Sequence, residues 1–494
     1  MTDSSAPAST PEHRPWYRRL GPALITACVV IGPGSIMSSS NVGVTYGYSL
    51  SWVVIISVVF MLTFMSMGVR LGVFVERSPG TILTEKVGRW FAVLLGLGVF
   101  FISAAYQFGN NLGVHFALTT YIDFNYLIVI FNALTICFLL FSKHLYQALE
   151  RLMMVLVGIM LVAFAVNLIF SGPRFGEWFS GFVPSSLDDF KNLTVLALVG
   201  TTFVTTAAFY QAYLVKQKGW STEEMHVGLV DARVGACVMA ALTLMLMATP
   251  ATLFHPSFKY EQIVTKPGDS GIPEGALVID DSDPARFEEL KQEAEADIDW
   301  QTNEKRWPAI LPLSEVTALK SSAKLEPRTF SKIPEVGMSL KPLFGTIGPM
   351  LFFLGVFSAA YSSFLVNSMI GGFILSDGLG LGSTPEDRWP KVFTIAVLMT
   401  GMGVGLYCIL FLENESPVGL IVAAQAVTVL AAPLVGGTLF WLTSRKDVMG
   451  ENVNSPLVKF VGLVGFLMIL AMSANLAITK VWPKIQAYLG FGMI

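Results

Sequence analysis

The chain has 494 residues, of which 53% are hydrophobic and 14% are charged, and its mean hydropathy is +0.62. Soluble domains carry about 25% charged residues, so this composition excludes an ordinary soluble protein and predicts a polytopic membrane protein surrounded by lipid. The formal net charge is only −3, and no basic face suggests a nucleic-acid partner. The four cysteines lie singly in apolar segments without metal-site spacing, so they predict neither a disulfide framework nor a zinc site.

Apolar segments of membrane-crossing length recur along the chain. A crossing helix needs about 20 apolar residues, and this rule predicts an all-α membrane protein with about eleven transmembrane helices. The predicted spans lie at about 21–46, 51–75, 91–120, 126–142, 152–171, 193–215, 232–254, 346–374, 391–412, 417–441 and 458–479. Residues 1–20 form a tail before these spans, and residues 480–494 form a tail after them.

Lysine and arginine are concentrated in alternate loops. The loops on one side of the membrane contain many basic residues, for example Arg18, Arg77 and Lys218. The loops on the other side contain few, among them Arg174 and Lys191. Because positively charged short loops stay in the cytosol, we expect the N-terminus to be cytosolic and the C-terminal tail to be external. The expected location is the plasma (inner) membrane.

One long polar connection, residues 255–345, separates spans 1–7 (21–254) from spans 8–11 (346–479). It contains an acid-rich stretch from Asp280 to Asp299 and no spanning segment, so it predicts an extracytoplasmic acidic loop. Residues Glu288 to Asp297 have the spacing of one amphipathic helix. The acids either attract cations to this surface or form an ordinary solvated face.

The first span is interrupted at its centre by Gly32, Pro33, Gly34 and Ser35. Proline lacks an amide hydrogen and glycine gains little from being helical, so these residues break a helix. In a membrane the freed backbone groups must be satisfied by protein or by a wet cavity. Secondary transporters build substrate sites from such broken helices. We therefore interpret these four residues as substrate-binding, with a proline kink between packed helices as the alternative.

The sixth span carries many hydroxyl groups at its centre, in the stretch 200–208 (GTTFVTTAA). It follows the first span by five, which is the position of the second broken helix in a core made of two inverted repeats of five spans. We predict that spans 1 and 6 are both broken and that the eleventh span is appended to the repeats. Because threonine hydroxyls bond readily to their own helix, an unbroken span 6 is the alternative.

The order of these motifs resembles the natural resistance-associated macrophage protein (NRAMP) family of divalent-metal transporters. The resemblance covers nearly all spans. It is carried by the GPGS and VTYGYSLSW segments of span 1, MGVRLG at 67–72, GFVPS at 181–185, SAAYSS at 358–363 and LTSRKDVMG at 442–450. These segments are similar to the family's DPGN and GY.LLW segments, the end of its second span, its GxVPS motif, its GQSS segment and the end of its tenth span. The resemblance implies a five-plus-five inverted-repeat transporter that works by alternating access.

The positions that bind metal in the family differ in this chain. The Asp and Asn of DPGN fall on Gly32 and Ser35. An ungapped match places Val204, Thr205 and Thr206 at the family's MPH motif, whose methionine favours soft transition metals. The resemblance therefore implies a substrate site lined by these residues, with Gly32, Ser35 and Thr205 as the metal-contacting candidates.

The positions on the family's proton route also differ. Its acidic pair in span 3 falls on Gln107 and Asn110, and a second histidine of span 6 falls on Gln211. His115 lies about one turn beyond Asn110 and is a candidate proton carrier. The alternative is a neutral histidine that bonds between helices.

Two substrates fit this chemistry. A dehydrated divalent cation needs anionic or strongly donating ligands, whereas hydrated Mg²⁺ accepts contact through carbonyl, hydroxyl and amide groups. The candidates for such contact are Gly32, Ser35, Thr205, Gln107, Asn110 and Gln425. Alternatively, the amides near Gly34 bind the carboxylate of a small organic solute such as an amino acid, with Tyr106, Phe209 and Tyr210 as its apolar wall.

A third hypothesis, of a different class, is a non-transporting sensor whose outward loop binds a partner. No phosphate-binding loop, nucleophile–base pair or metalloprotease motif is present, so the chain is not predicted to be an enzyme and no cofactor is implied. The oligomeric state is left open.

Overall fold

A computed structural model describes residues 22–119, 122, 124, 126–142, 145–184, 192–268, 271–297, 305–319, 322–330, 333–338, 341, 345–411, 421, 424 and 428–483. Among these residues, eight helices are long and apolar enough to cross a membrane, and Leu127–Phe141 is a shorter apolar helix. The chain therefore has the all-α architecture with many helices of membrane-crossing length that its sequence predicts.

The helices follow the predicted spans closely. In chain order they are α1 (Pro22–Val30), α2 (Pro33–Tyr46), α3 (Ser51–Phe74), α4 (Pro79–Lys86), α5 (Arg89–Thr119), α6 (Leu127–Phe141), α7 (Leu145–Ser171), α8 (Phe175–Ser180), α9 (Leu193–Thr202), α10 (Thr205–Lys218), α11 (Met225–Leu253), α12 (His255–Phe258), α13 (Pro284–Ala296), α14 (Leu313–Ala318), α15 (Ile333–Met338), α16 (Ile347–Leu379), α17 (Arg388–Phe411), α18 (Ala432–Ser444), α19 (Lys446–Met449) and α20 (Pro456–Leu476).

Spans 1 and 6 are each built from two helices. Span 1 is α1 plus α2, and span 6 is α9 plus α10. Spans 2, 3, 4, 5 and 7 are α3, α5, α6, α7 and α11, while spans 8, 9 and 11 are α16, α17 and α20. Helix α18 belongs to span 10. Both predicted breaks are therefore present in the structure.

The two sets of five spans pack crosswise. The second half of span 1, α2, packs against span 7, and the second half of span 6, α10, packs against span 2. Span 3 and span 8, which hold equivalent third places in their sets, form the most extensive helix pair. This reciprocal pattern agrees with the predicted five-plus-five repeat.

Residues 255–345, expected from the sequence to be a loop, contain a small folded unit that we call the sheet unit. Its four strands are β1 (Glu261–Lys266), β2 (Leu277–Ile279), β3 (Ile310–Pro312) and β4 (Lys324–Pro327), in the order β3-β2-β1-β4. The β1 strand pairs antiparallel with β2 and β4, and β2 pairs parallel with β3. The helix predicted over Glu288–Asp297 is present as α13, between the two parallel strands.

The sheet unit has a small core of its own and is tied to span 1. Leu290 and Ala294 of α13 pack against Leu277 and Ile279 on one face of the sheet. The Asn41 side chain of α2 donates to the backbone oxygen of residue 330 (3.3 Å) and accepts from its amide (2.9 Å). The unit is therefore attached to α2, the second half of broken span 1.

The ring of Phe330 fixes this contact. It lies 5.2 Å from the ring of Phe254 and 5.4 Å from that of Phe258, at the end of span 7. Helix α15, which follows it, packs on spans 3 and 8 as well as on α2. The sheet unit thus covers the bundle end that is opposite to the start of α1.

A buried carboxyl group joins three elements at the end of the bundle where α1 begins. Asp377 of span 8 is 4% exposed. It accepts hydrogen bonds from Ser78 Oγ (2.5 Å), the Gly80 amide (2.7 Å) and Tyr213 Oη (2.6 Å). Ser78 and Gly80 precede and begin α4, and Tyr213 lies on α10, so Asp377 links the span 2–3 connection to the second half of span 6.

Candidate functional site

The break in span 1 lies at Ile31 and Gly32. Gly32 precedes α2 with extended backbone (φ −133°, ψ 179°), and Pro33 takes the first helical position. There its missing amide hydrogen and fixed φ suit a helix start. The ring of Pro33 packs directly against Gly113 of span 3. A Cβ atom added to Gly113 would lie 1.9 Å from Pro33 Cγ. The absence of a side chain at Gly113 therefore allows the break to lie directly on span 3.

Gly32 faces spans 3 and 8. A Cβ on Gly32 would lie 3.0 Å from Asn110 Oδ1 and 3.0 Å from Ser363 Oγ. Asn110 also donates from Nδ2 to Gln107 Oε1 (3.4 Å), and Asn367 donates from Nδ2 to Ser363 Oγ (2.8 Å). All four side chains are buried and uncharged. The wall opposite Gly32 is thus made of neutral amides and a hydroxyl.

The break in span 6 lies at Phe203 and Val204. Both have non-helical backbone, with ψ of 72° and 90°. The carbonyl of Gly200, near the end of α9, accepts a hydrogen bond from Tyr106 Oη of span 3 (3.1 Å), and Thr428 donates to that Tyr106 oxygen (3.2 Å). A tyrosine expected to be an apolar wall therefore satisfies a carbonyl near the break.

A small cavity lies beside the second break. It is lined by Tyr106, Val199, Gly200, Phe203, Val204, Thr205, Thr206, Thr428 and Ala432, together with Ile102, Val429, Ile469 and Met472. The Thr205 hydroxyl donates to the Ala432 carbonyl of span 10 (3.2 Å). Thr206 Oγ1 is buried and has no hydrogen-bond partner within the part of the chain that the structure describes.

The structure divides the predicted site residues into two groups. Gly32 faces spans 3 and 8, whereas Thr205 faces span 10 and the Thr205 hydroxyl already has an acceptor. Ser35 is buried on α2, and its hydroxyl has no hydrogen-bond partner among the described residues. Gln425 lies outside the described residues. Of the predicted aromatic wall, Tyr210 packs against Phe373 (5.9 Å) rather than at either break.

Two side-chain contacts close the space between the broken spans. Thr26 of α1 donates to Gln211 of α10 (2.5 Å), and the hydroxyls of Ser38 on α2 and Thr201 on α9 lie 3.5 Å apart. The first contact is on the α1 side of the breaks and the second is on the sheet-unit side. Gly32, Ser35, Val204, Thr205 and Thr206 are all buried between them.

The proton-route candidates Gln107, Asn110 and His115 all lie on span 3, and a hydrogen bond joins the first two. Gln107 Nε2 and His115 Nδ1 are buried without a hydrogen-bond partner among the described residues. Asn111 Oδ1 accepts from Asn132 Nδ2 of span 4 (2.7 Å). The described residues contain no group of three or more His, Cys, Asp or Glu side chains that would hold a metal ion.

Ser363 and Asn367 are the site residues that sequence reasoning missed. Ser363 lies within the SAAYSS segment at 358–363, but neither it nor Asn367 is among the residues predicted to line the site. Their spacing of four residues places both on one face of span 8, but only the packing shows that this face meets Gly32.

Comparisons with known proteins agree with this architecture. The model of the natural resistance-associated macrophage protein-like family matches residues 23–266 and 316–479. A divalent metal cation transporter MntH from Chromohalobacter salexigens is 24% identical over 263 residues, which cover 51% of this chain and 61% of that protein. Another MntH, from Caldanaerobacter subterraneus, is 19% identical and covers 93% of both chains.

A solved structure extends the comparison to the fold. The crystal structure of a manganese transporter from Eremococcus coleocola superposes with a TM-score of 0.68 at 14% identity, covering 98% of this chain and 91% of that one. At this identity the likeness shows a shared fold. Together with the family model, which matches more than half of the residues, it establishes that the chain belongs to the natural resistance-associated macrophage protein (NRAMP) family of membrane transporters.

Proposed function

We propose that this chain is a secondary transporter of a divalent metal ion, and that it carries hydrated Mg²⁺ in preference to Mn²⁺ or Fe²⁺. Relatives named divalent metal cation transporters support the class of substrate. The observation that carries the choice of ion is the neutral wall opposite Gly32, formed by Asn110 and Ser363.

The donor chemistry disfavours tight binding of a dehydrated transition metal. Mn²⁺ and Fe²⁺ sites in a membrane need carboxylate, imidazole or thioether ligands to offset lost hydration. Gly32 has no side chain, Val204 is aliphatic, and Ser35, Asn110 and Ser363 offer neutral oxygens. Mg²⁺ loses its water reluctantly and keeps several waters when bound. Neutral oxygens that accept hydrogen bonds from those waters suit it.

Alternating access is the mechanism that we infer. The Thr26–Gln211 contact closes the α1 side, and the Ser38–Thr201 contact closes the sheet-unit side. Opening either contact while the other holds would expose the breaks to one side at a time. The distribution of lysine and arginine supports a cytosolic N-terminus in the plasma membrane, with the sheet unit outside.

The test is uptake into liposomes that contain the purified protein, with Mg²⁺, Mn²⁺ and an amino-acid mixture offered side by side and isothermal titration of each. We expect saturable Mg²⁺ uptake that exceeds Mn²⁺ uptake. Asn110→Ala should weaken it, whereas Asn167→Ala serves as the matched control, because it removes a buried amide of span 5 whose Nδ2 has no hydrogen-bond partner among the described residues. Preferred Mn²⁺ uptake would contradict the site chemistry. Amino-acid uptake without metal uptake would favour the organic-solute hypothesis.

A further inference from the structure

A groove of about 530 Å³ lies between spans 2 and 11 on the outside of the bundle. Its lining consists of Trp52, Val53, Ile56, Ser57 and Phe60 from span 2 and Val464, Met468, Ala471, Met472 and Asn475 from span 11. On either side of it, Ile55 and Val59 of span 2 and Leu467 of span 11 are exposed. These apolar side chains lie on helices of membrane-crossing length. The groove therefore opens toward the hydrocarbon of the bilayer.

The groove is closed at its deep end. Gly465 of span 11 packs directly on span 2, because a Cβ atom added there would lie 2.9 Å from Phe60 Cδ1. Small residues let membrane helices approach this closely. From this contact the groove extends between the two helices to Trp52 and Asn475. It is therefore a slot with one open end.

The open end lies at the membrane interface on the sheet-unit side. Span 2 begins there, a short turn after α2, to which the sheet unit is attached. The Trp52 amide donates to the carbonyl of Gly181 at the end of α8 (3.0 Å). The exposed ring of Phe179 on α8 is typical of a helix in the headgroup region. Trp52 and Asn475 place polar groups at this end, and beyond Ser57 the lining is apolar.

The length of the groove matches one leaflet of the bilayer. At a rise of about 1.5 Å per residue, Trp52 and Phe60 are about 12 Å apart along span 2, and Val464 and Asn475 are about 16 Å apart along span 11. The hydrocarbon core of a bilayer is about 30 Å thick, so one leaflet contributes about 15 Å. An acyl chain whose ester end lies beside Trp52 would therefore end near Phe60.

The deep part of the groove also contacts the span 6 break. Met472 lines both the groove and the small cavity beside that break. The ring of Phe60 lies 5.8 Å from the ring of Phe203, which has non-helical backbone at the break. A chain that fills the groove would pack against Phe60 and Met472 from the lipid side. These two side chains would transmit its packing to the break.

We propose that this groove binds one acyl chain of a phospholipid from the leaflet on the sheet-unit side, and that the bound chain stabilises the span 6 break through Phe60 and Met472. A packed chain makes many dispersion contacts that an unfilled groove forfeits. The polar mouth and apolar slot match the polar ester end and the apolar tail of such a chain. The inference does not depend on the transported ion, and both tests below use neither metal nor transport.

The first test is quenching of tryptophan fluorescence by phospholipids with brominated acyl chains, added to the protein in detergent. The emission of Trp52 is the difference between wild type and Trp52→Phe. Trp389→Phe gives the same difference for an exposed tryptophan of span 9. We expect saturable quenching of Trp52 at a lipid fraction at least about tenfold lower than for Trp389. Quenching of Trp52 only in parallel with Trp389 would overturn the site, because it would report ordinary surrounding lipid.

A variant that obstructs the groove tests where the chain lies. Ala471→Phe places a ring in the middle of the groove and should raise the half-saturating lipid fraction at least about tenfold. Ala474→Phe, at an exposed position of the same helix outside the lining, should leave it unchanged. Equal effects of the two variants would overturn the site. A changed oligomeric state in Ala471→Phe, without quenching of Trp52 in wild type, would assign the groove to a second copy of the chain instead.

The second test measures hydrogen–deuterium exchange at residues 200–206 in detergent, with and without added phospholipid. A ligand that binds one conformation slows the opening of the segment it stabilises. Lipid should slow exchange at the break at least about threefold in wild type and in Ala474→Phe, and have no effect in Ala471→Phe. Exchange that is unchanged by lipid in wild type would refute the action on the break.

Discussion

The Tyr213–Asp377 hydrogen bond allows a sharp test of what holds the α1 end of the bundle together. Tyr213→Phe removes only the hydroxyl that donates to Asp377 over 2.6 Å and keeps the ring in place. The Ser78 and Gly80 donors remain. Since all three partners donate, the Asp377 carboxyl acts purely as an acceptor, as an ionised group does.

A hydrogen bond to a charged group contributes about 1.5–3 kcal/mol. Tyr213→Phe should therefore reduce the folding equilibrium constant by about 10- to 150-fold and lower Tm by a few degrees. In a double-mutant cycle with Asp377→Asn, the coupling free energy between the two positions should be at least about 1 kcal/mol.

The free energies are measured by reversible denaturant titration of wild type, both single variants and the double variant in one detergent. Tm is compared at one heating rate, because thermal unfolding of membrane proteins is often irreversible. Tyr407→Phe is the matched control, since Tyr407 of span 9 is 57% exposed. A Tm loss in Tyr213→Phe no larger than in Tyr407→Phe, or additive effects in the cycle, would refute the argument.

Two further predictions concern the packing of span 1. Gly113→Ala should lower Tm, because its Cβ would lie 1.9 Å from Pro33 Cγ and overpacking costs about 1–3 kcal/mol; Gly403→Ala, where nothing lies within 4 Å, is the control and should leave Tm unchanged. Asn41→Ala should increase hydrogen–deuterium exchange at the Phe330 amide by removing its acceptor, with exchange in the span 3 core unchanged. Equal Tm losses in both glycine variants, or unchanged exchange at Phe330, would contradict these interpretations.

The membrane helices and both breaks could be predicted from the sequence because their causes are local. Length and hydropathy define a span, and Pro33 removes an amide hydrogen wherever it occurs. The sheet unit could not be predicted in the same way. Its strands are three to six residues long and lie within a polar, acid-rich segment. Strands this short depend on pairing partners, such as β4 for β1, that lie far along the chain.

Which face of each helix meets which neighbour was the less predictable part of the candidate site. Ser363 lies more than 300 residues after Gly32, and its approach depends on how span 8 packs against the rest of the bundle. Thr205 shows the opposite case. Its match to the family's MPH motif suggested a metal contact, but its hydroxyl donates to Ala432 of span 10. Residue type and span position predict the candidate site, whereas the partner of each side chain is set by tertiary packing.

The neutral side chains of the site also depend on one another. The resemblance to the family places a carboxylate at Gly32 and acids at Gln107 and Asn110. In this chain a Cβ atom added to Gly32 would lie 3.0 Å from Asn110 Oδ1, and the Asn110 side chain donates a hydrogen bond to Gln107. A buried carboxylate without a partner cation costs several kcal/mol. If no carboxylate at position 32 recruits a divalent ion, acids at 107 and 110 would lose their compensating charge. Amides at those positions remove that cost, and we infer that this is the physical reason why uncharged groups occur together at positions 32, 107 and 110.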